Sequence, residues 1–485
     1  MIIKNLTLAV LAFSSSTLFA ANHMVLMGGS GDPDGPKTIF DSTAEMLGKN
    51  LQASNQWKYQ VAFNGGHSET ETIIATNFSR PTAPTTPFNE QTYKKMIADY
   101  KAKIMSGEIA SGDQLVIVID THGAEKSDKS LTHQIAVNSA KKTPNRGITD
   151  FNNLSGSDTV SLDDLQEIVK LTNQKGIKLG IIDMSCHSGN TQALKQNAPN
   201  TCIVTSTGPQ HYGFAGAGTF NGQLWNSFKP GVNLEQAFLE ARLNARDNGY
   251  PMISTPAGTE IDSEVYKAIT PYMYYKSPIS DKLTNYIKTN SSDQLICQRE
   301  NQFNELIAKI NALEAAANGT KNGYSGQELK RLISQYKAQQ DEMIKTLNQM
   351  GGSLADTVET FIEKKSGPDS NPLQLSWKLI ATSDPDGTIK YFQEQSKKTK
   401  NAKEKADYAA IIEKWNQVKL KKAEILRKYP SMSKLDETSK KLIAQMEDNY
   451  QAVFSITLQE KKFYNELYRK KQNGNSNDAC AQIVF

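Results

Sequence analysis

In the first half of the chain, apolar residues gather into short near-continuous runs separated by longer stretches of mixed polarity. The runs are His23–Met27, Tyr59–Phe63, Leu115–Ile119, Ile177–Ile182 and, around Cys202-Ile203-Val204, Thr201–Thr207. Short runs with little polar alternation read as strands buried on both faces, the pattern of a mainly parallel sheet. The spacing between them predicts helices over 40–51, 91–105 and 161–172, the last opened by Ser161 as cap with Asp164 at its third position. Helices over 220–228 and 234–247 and an edge strand over 251–254 follow. Strand and helix alternate throughout, so the predicted class is α/β, a mainly parallel sheet flanked by helices. The polar span Ala124–Asp158 predicts a long active-site loop or a short hairpin beside the functional strands.

Beyond about Tyr275 the pattern changes. Lys, Glu, Gln and Leu dominate, and apolar residues recur at helical spacing, as in Phe303, Leu306, Ile307, Ile310 and Leu313. Breaks at Asn318-Gly319, Gly351-Gly352, 366–372, Asp384–Gly387 and Pro430 divide this half into roughly five or six helices, an all-α bundle or antiparallel coiled coil. The Asp384–Gly387 break is a turn and not a calcium loop, because Thr382 and Gln393 stand where the first and last ligands belong.

The amino terminus has a short basic lead (Met1–Asn5), an apolar segment (Leu6–Phe13) and small residues to Ala21, the layout of a cleaved secretory signal peptide. The expected organisation is a signal peptide over 1–21, an α/β domain over 22–275, a linker over 276–294, a helical domain over 295–475 and a tail over 476–485. The mature chain is expected to be exported, periplasmic or secreted, with no transmembrane segment.

Charge and cysteine content narrow the function classes. A net charge of +4 over 485 residues is too slight to predict a nucleic-acid partner. Four cysteines (Cys186, Cys202, Cys297 and Cys480) are too few for a disulfide scaffold. Export permits a bridge, and Cys297–Cys480, bracketing the helical half, is the favoured pair, with Cys202 read as a core residue. The loop after the first strand is not a P-loop, since Pro36 precedes Lys37 where a glycine N–H is needed.

Two strand ends carry the chemistry. The Leu115–Ile119 run ends in Asp120-Thr121-His122-Gly123, and the Ile177–Ile182 run ends in Asp183-Met184-Ser185-Cys186-His187-Ser188-Gly189. Adjacent parallel strands ending in His and Cys would supply a base and a nucleophile for acyl transfer. The N–H groups of Gly123 and Cys186 would then offer an oxyanion hole. A core cysteine is the plainer alternative for Cys186.

At these residues the sequence resembles the caspase-like clan of cysteine peptidases, which includes caspases, metacaspases, legumains and gingipains. Ser185-Cys186-His187-Ser188-Gly189 looks most like the metacaspase nucleophile motif Asp-x-Cys-His-Ser-Gly, and the legumain ending Cys-x-Ser-Gly also fits. The resemblance covers roughly residues 23–275 and implies a caspase-like fold and a peptide or protein substrate; metacaspase likeness also raises calcium dependence, but no residue pattern supports it, and no cofactor or metal is expected. It further implies that the loop after the first strand lines the pocket for the residue before the scissile bond. Asp32 or Asp34 would then hold a basic side chain, the alternative being Asx turns around Pro33. Ser206 and Gln210 fall in the segment that resembles the clan's substrate groove. Asp120 and Asp183, near strand ends, add to an expected basic preference. The metacaspase pattern places its Asp two residues before Cys, whereas Asp183 lies three before, a shift that turns it to the opposite strand face. Lys141-Lys142 and Arg146 are candidate self-cleavage sites, as in several clan members.

Two other readings stand beside the peptidase. One is a catalytically silent caspase-like module that binds a protein partner through its helical half, which could also act as an autoinhibitory contact. The other is a metal-dependent hydrolase built on His122, Cys186, His187 and His211, which lacks ligand pairs at the usual spacing.

Overall fold

Residues 20–32, 36–52, 57–63, 67–78, 87–138, 159–216, 218–245, 249–266, 326–350, 385–428, 437–472 and 478–485 are described by a computed structural model. The apolar runs become β1 (Asn22–Gly28), β2 (Trp57–Phe63), β3 (Gln114–Asp120), β7 (Lys178–Asp183) and β8 (Thr201–Thr205). They form a parallel sheet, which the short antiparallel β9 (Met252–Ile253) extends to six strands in the order β2-β1-β3-β7-β8-β9. Alternate residues of each run serve opposite layers, which is why the runs show so little polar alternation. Met24, Leu26, Val116 and Val118 enter one core, and Val25, Met27, Ile117 and Ile119 enter the other.

Helices cover both faces. One layer holds α1 (Asp41–Gln52), α5 (Phe220–Ser227), α6 (Leu234–Asn244) and the short α7 (Pro256–Ile261), and the other holds α3 (Glu90–Ser106) and α4 (Leu165–Lys175); α2 (Ser68–Asn77) packs beside α1. Asn89 caps α3 through a reciprocal capping box, its side chain accepting from Thr92 N–H at 2.8 Å. The start of α4 differs from expectation. Ser161 belongs to β6 (Thr159–Ser161), the helix opens four residues later, and its N-cap Asp164 makes no side-chain cap. Asp163 instead accepts the backbone N–H groups of Leu131 and Thr132, tying the helix entry to the neighbouring hairpin.

That hairpin occupies the span whose polarity predicted a loop or hairpin. β4 (Gly123–Lys126) and β5 (His133–Ala136) pair antiparallel, and β6 joins β5 to give a second, three-stranded sheet. Lys141, Lys142 and Arg146 lie outside the described residues, as do Asp34, Cys297, residues 1–19 of the expected signal peptide and the expected linker 276–294.

The carboxyl-terminal half is helical where described: α8 (Gly326–Met350), α9 (Pro385–Lys398), α10 (Ala402–Lys428), α11 (Glu437–Gln472) and α12 (Ala479–Gln482). α8 lies along α11, and α9 along α10. The change in composition does not coincide with a break in packing. Leu332, Ile333 and Tyr336 of α8 and Phe463, Tyr464 and Tyr468 of α11 join the same core as β1 and α6. Arg242 on α6 pairs with Glu460 at 2.9 Å, both fully buried, and stacks over the Tyr464 ring at 3.6 Å. A charge so desolvated survives only with a partner, so the pair fixes where α11 meets α6.

The tail continues this attachment. Cys480 is bonded to Cys202 on β8, so the favoured Cys297–Cys480 pairing is corrected: Cys202 is a bridge residue. Ile483 reaches Gly180 of β7, and the Phe485 ring stacks between Trp57 and Phe228. Gln114, first residue of β3, exchanges two hydrogen bonds with the backbone of Val484. Residues 478–485 thus seal the amino-terminal end of the sheet. Among the described residues no helix is long and apolar enough to cross a membrane.

Candidate active site

β3 and β7 are hydrogen-bonded neighbours in parallel register, Ile119 opposite Asp183. Extending that register sets residue 122 opposite residue 186, so both candidate groups leave the sheet at its carboxyl-terminal edge. Gly123 closes the gap between them. A Cβ there would fall 2.2 Å from the carbonyl oxygen of Cys186, so only glycine permits the two segments to approach this closely. The His122 carbonyl accepts the N–H of Ala136 on β5 at 2.8 Å, which fixes the backbone of the histidine.

The imidazole is oriented from the loop after β1. His122 Nε2–H donates to Asp32 Oδ1 at 2.7 Å, while Asp32 Oδ2 accepts the N–H of Ile39 at 2.6 Å. Phe40 meets the ring edge-on with centroids 5.1 Å apart. Asp32 is therefore spent on the histidine, not on a substrate side chain as the resemblance implies. The sequence spacing of 90 residues hid the pairing.

Cys186 begins a turn in which His187 takes a left-handed conformation (φ 62°), followed by a 3-10 helix, Ser188–Lys195. Its sulfur accepts the N–H of Gly213 at 3.3 Å and lies 3.7 Å from the Gly213 carbonyl. Burial pushes the thiol up to about 11, against the downward pull of the backbone N–H groups of Gly213, Gly123 and Cys186 itself. Those last two are the N–H groups expected to form an oxyanion hole. With 7 % of the residue exposed, desolvation outweighs them and the resting group is a thiol, not a thiolate. Cys186 is the free cysteine among the described residues.

The other candidates are placed inside the fold. Asp183 is fully buried, with its Oδ1 accepting the N–H and hydroxyl of Ser185 and its Oδ2 the Thr191 hydroxyl at 2.6 Å. Asp120 is buried against Thr43, whose hydroxyl donates at 2.7 Å. Neither faces a bound peptide, so the expected basic preference loses three of its four carboxylates to internal bonds. Ser206 is likewise interior, donating to the Ser185 carbonyl at 3.4 Å. Gln210 is exposed at the rim, with its N–H donating to the Tyr266 hydroxyl at 3.2 Å. His67 is buried at the start of α2. His187 and His211 are engaged by Pro209 O and the Tyr266 hydroxyl, and no group of three or more His, Cys, Asp or Glu among the described residues could hold a metal ion.

One polar residue of the site gave no sequence signal. His133, in the middle of the polar span, is fully buried with Nε2 2.7 Å from the Ser185 hydroxyl. Only its alternation with Ile135 along β5, had the strand been recognised, pointed inward.

No family model matches this chain, and no curated protein matches it either.

Proposed function

We propose that this chain is an exported cysteine endopeptidase of the caspase-like class, with Cys186 as nucleophile, His122 as base and Asp32 as the group that orients the imidazole. The observation carrying this reading is the convergence at one sheet edge. His122 bonded to Asp32 and Cys186 packed on Gly123 leave neighbouring parallel strands, an arrangement with all the parts of acyl transfer. Since Nε2 is given to Asp32, proton transfer falls to Nδ1. His122 takes the Sγ proton as sulfur bonds to the peptide carbonyl carbon. The oxyanion is held by the N–H groups of Gly123 and Cys186. The proton then passes to the leaving amine, and water, deprotonated by His122, releases the acid from the thioester. The buried Cys202–Cys480 bridge supports an oxidising, exported setting.

The test is covalent capture. Peptidyl acyloxymethyl ketones ending in Arg, Asn or Asp should label Cys186, and His122→Ala should abolish labelling. A folded wild-type chain that none of the three labels would favour the second reading, a silent caspase-like module binding through its helical half. The protonated thiol beneath Gly213 favours that alternative. For the peptidase, the same contact is a resting state in which substrate displaces the Gly213 segment.

A further inference from the structure

β5 touches both halves of the proposed dyad. On one side the Ala136 N–H donates to the His122 carbonyl, and Ile135 pairs with Gly123. On the other side His133 reaches the residue immediately before Cys186. Ser185 Oγ lies 2.6 Å from Asp183 Oδ1, which also accepts the Ser185 N–H at 3.1 Å. A carboxylate can only accept, so the Ser185 hydroxyl donates to it, and His133 Nε2–H must donate to the Ser185 oxygen at 2.7 Å. The tautomer is thereby fixed, with Nδ1 unprotonated. Among the described residues Nδ1 has no hydrogen-bond partner, as suits a neutral ring in an apolar setting. Burial holds the ring neutral, pushing its pKa down to about 3.

We infer that His133 is a positioning residue for the nucleophile: through Ser185 it locks the Cys186 turn to the same strand that holds His122, so β5 sets the separation of base and sulfur. The inference rests on the peptidase reading. His133 touches neither sulfur nor substrate. Its effect is geometric, and displacement of a reacting group by about 1 Å costs as much as 10²-fold in rate. Asp183 and Thr191 anchor the far end of the link, their bond at 2.6 Å keeping the carboxylate turned toward Ser185.

The test compares His133→Asn, His133→Gln and Ser185→Ala in the full chain. The readout is the rate of Cys186 labelling by whichever of the three ketones labels the wild type, separated into maximal rate and half-saturating concentration. Glutamine can present an N–H near the position of Nε2, whereas asparagine is too short to reach. His133→Asn and Ser185→Ala should each lower the maximal rate by about tenfold or more with half-saturation unchanged, and His133→Gln should stay within about threefold of wild type. Thermal melting identifies a variant that does not fold; if that is His133→Asn, Ser185→Ala decides. Wild-type rates in folded His133→Asn or Ser185→Ala overturn the inference alone. So does an equal loss in folded His133→Gln and His133→Asn, which would make the effect one of shape. A wild-type chain that none of the ketones labels overturns the peptidase reading and this inference with it.

Discussion

The two ends of the sheet use polar and apolar groups in opposite ways. At the amino-terminal end the chain closes on itself: Cys480 is bonded to Cys202, Phe485 lies between Trp57 and Phe228, and Gln114 satisfies both backbone groups of Val484. At the carboxyl-terminal end it buries groups that would be better solvated. Asp120 Oδ1 and His133 Nδ1 have no hydrogen-bond partner among the described residues, the Asp120 and Asp183 carboxyls are pushed up by burial to about 7 and about 6, and His187 sits at positive φ. Buried unpartnered groups and left-handed backbone each cost on the order of 1–3 kcal/mol. They persist only where the rest of the structure over-determines them, and the closed end together with α11 supplies that surplus. The contrast predicts that substitutions at one end act on chemistry and at the other on stability.

The largest expected effect is at the open end. His122→Ala should lower hydrolysis of a fluorogenic peptide by about 10²- to 10⁴-fold while leaving the melting temperature near wild type. A large drop in melting temperature would instead make His122 a structural residue. The counterpart at the closed end is the double change Cys202→Ser with Cys480→Ser. It should lower unfolding free energy by about 2–5 kcal/mol in denaturant titration, with activity per folded molecule preserved. Loss of activity at full stability would erase the distinction between the ends. Asp32→Asn should come next, costing about 10- to 100-fold in kcat with KM nearly unchanged, because the amide can leave the imidazole in the wrong tautomer. An unchanged kcat would remove Asp32 from the proposed machinery.

The last effect sharpens the comparison through pH. Burial holds Asp120 at about 7 in the folded chain against an ordinary 3.8, partly offset by the Thr43 hydroxyl. Between those limits the folded state binds more protons than the unfolded state, so stability falls as pH rises from about 4 to about 7. Melts at pH 5 and pH 7.5 should show the wild type losing roughly 2–3 kcal/mol more than Asp120→Asn. Parallel slopes in the two proteins would mean that Asp120 titrates normally.

Much of the sheet was legible because burial on both faces leaves a mark in the residue string. Val116–Ile119 and Leu179–Ile182 can be read as strands from composition alone. His122 and Cys186 were legible because each follows the end of such a run within three or four residues. Contacts between residues distant in the chain left no such mark. Nothing near Asp32 announces a partner 90 positions on, and nothing in the positions of the four cysteines marked Cys202 rather than Cys297 as the mate of Cys480. His133 was hidden for another reason. Its strand is four residues long and flanked by polar turns, so local composition outweighed the inward alternation of β5. The helical half was legible as helices. The buried Arg242–Glu460 pair that binds it to the sheet domain was not, since a charge in a helix ordinarily reads as solvated.

The Cys202–Cys480 bond gives the molecule a covalent memory of its own ends. A single backbone cut anywhere between those positions leaves two fragments that travel together until the bridge is reduced. A nicked molecule would run as one species without thiol and as two with it, so apparent size under oxidising conditions is no guide to whether the chain has been cleaved.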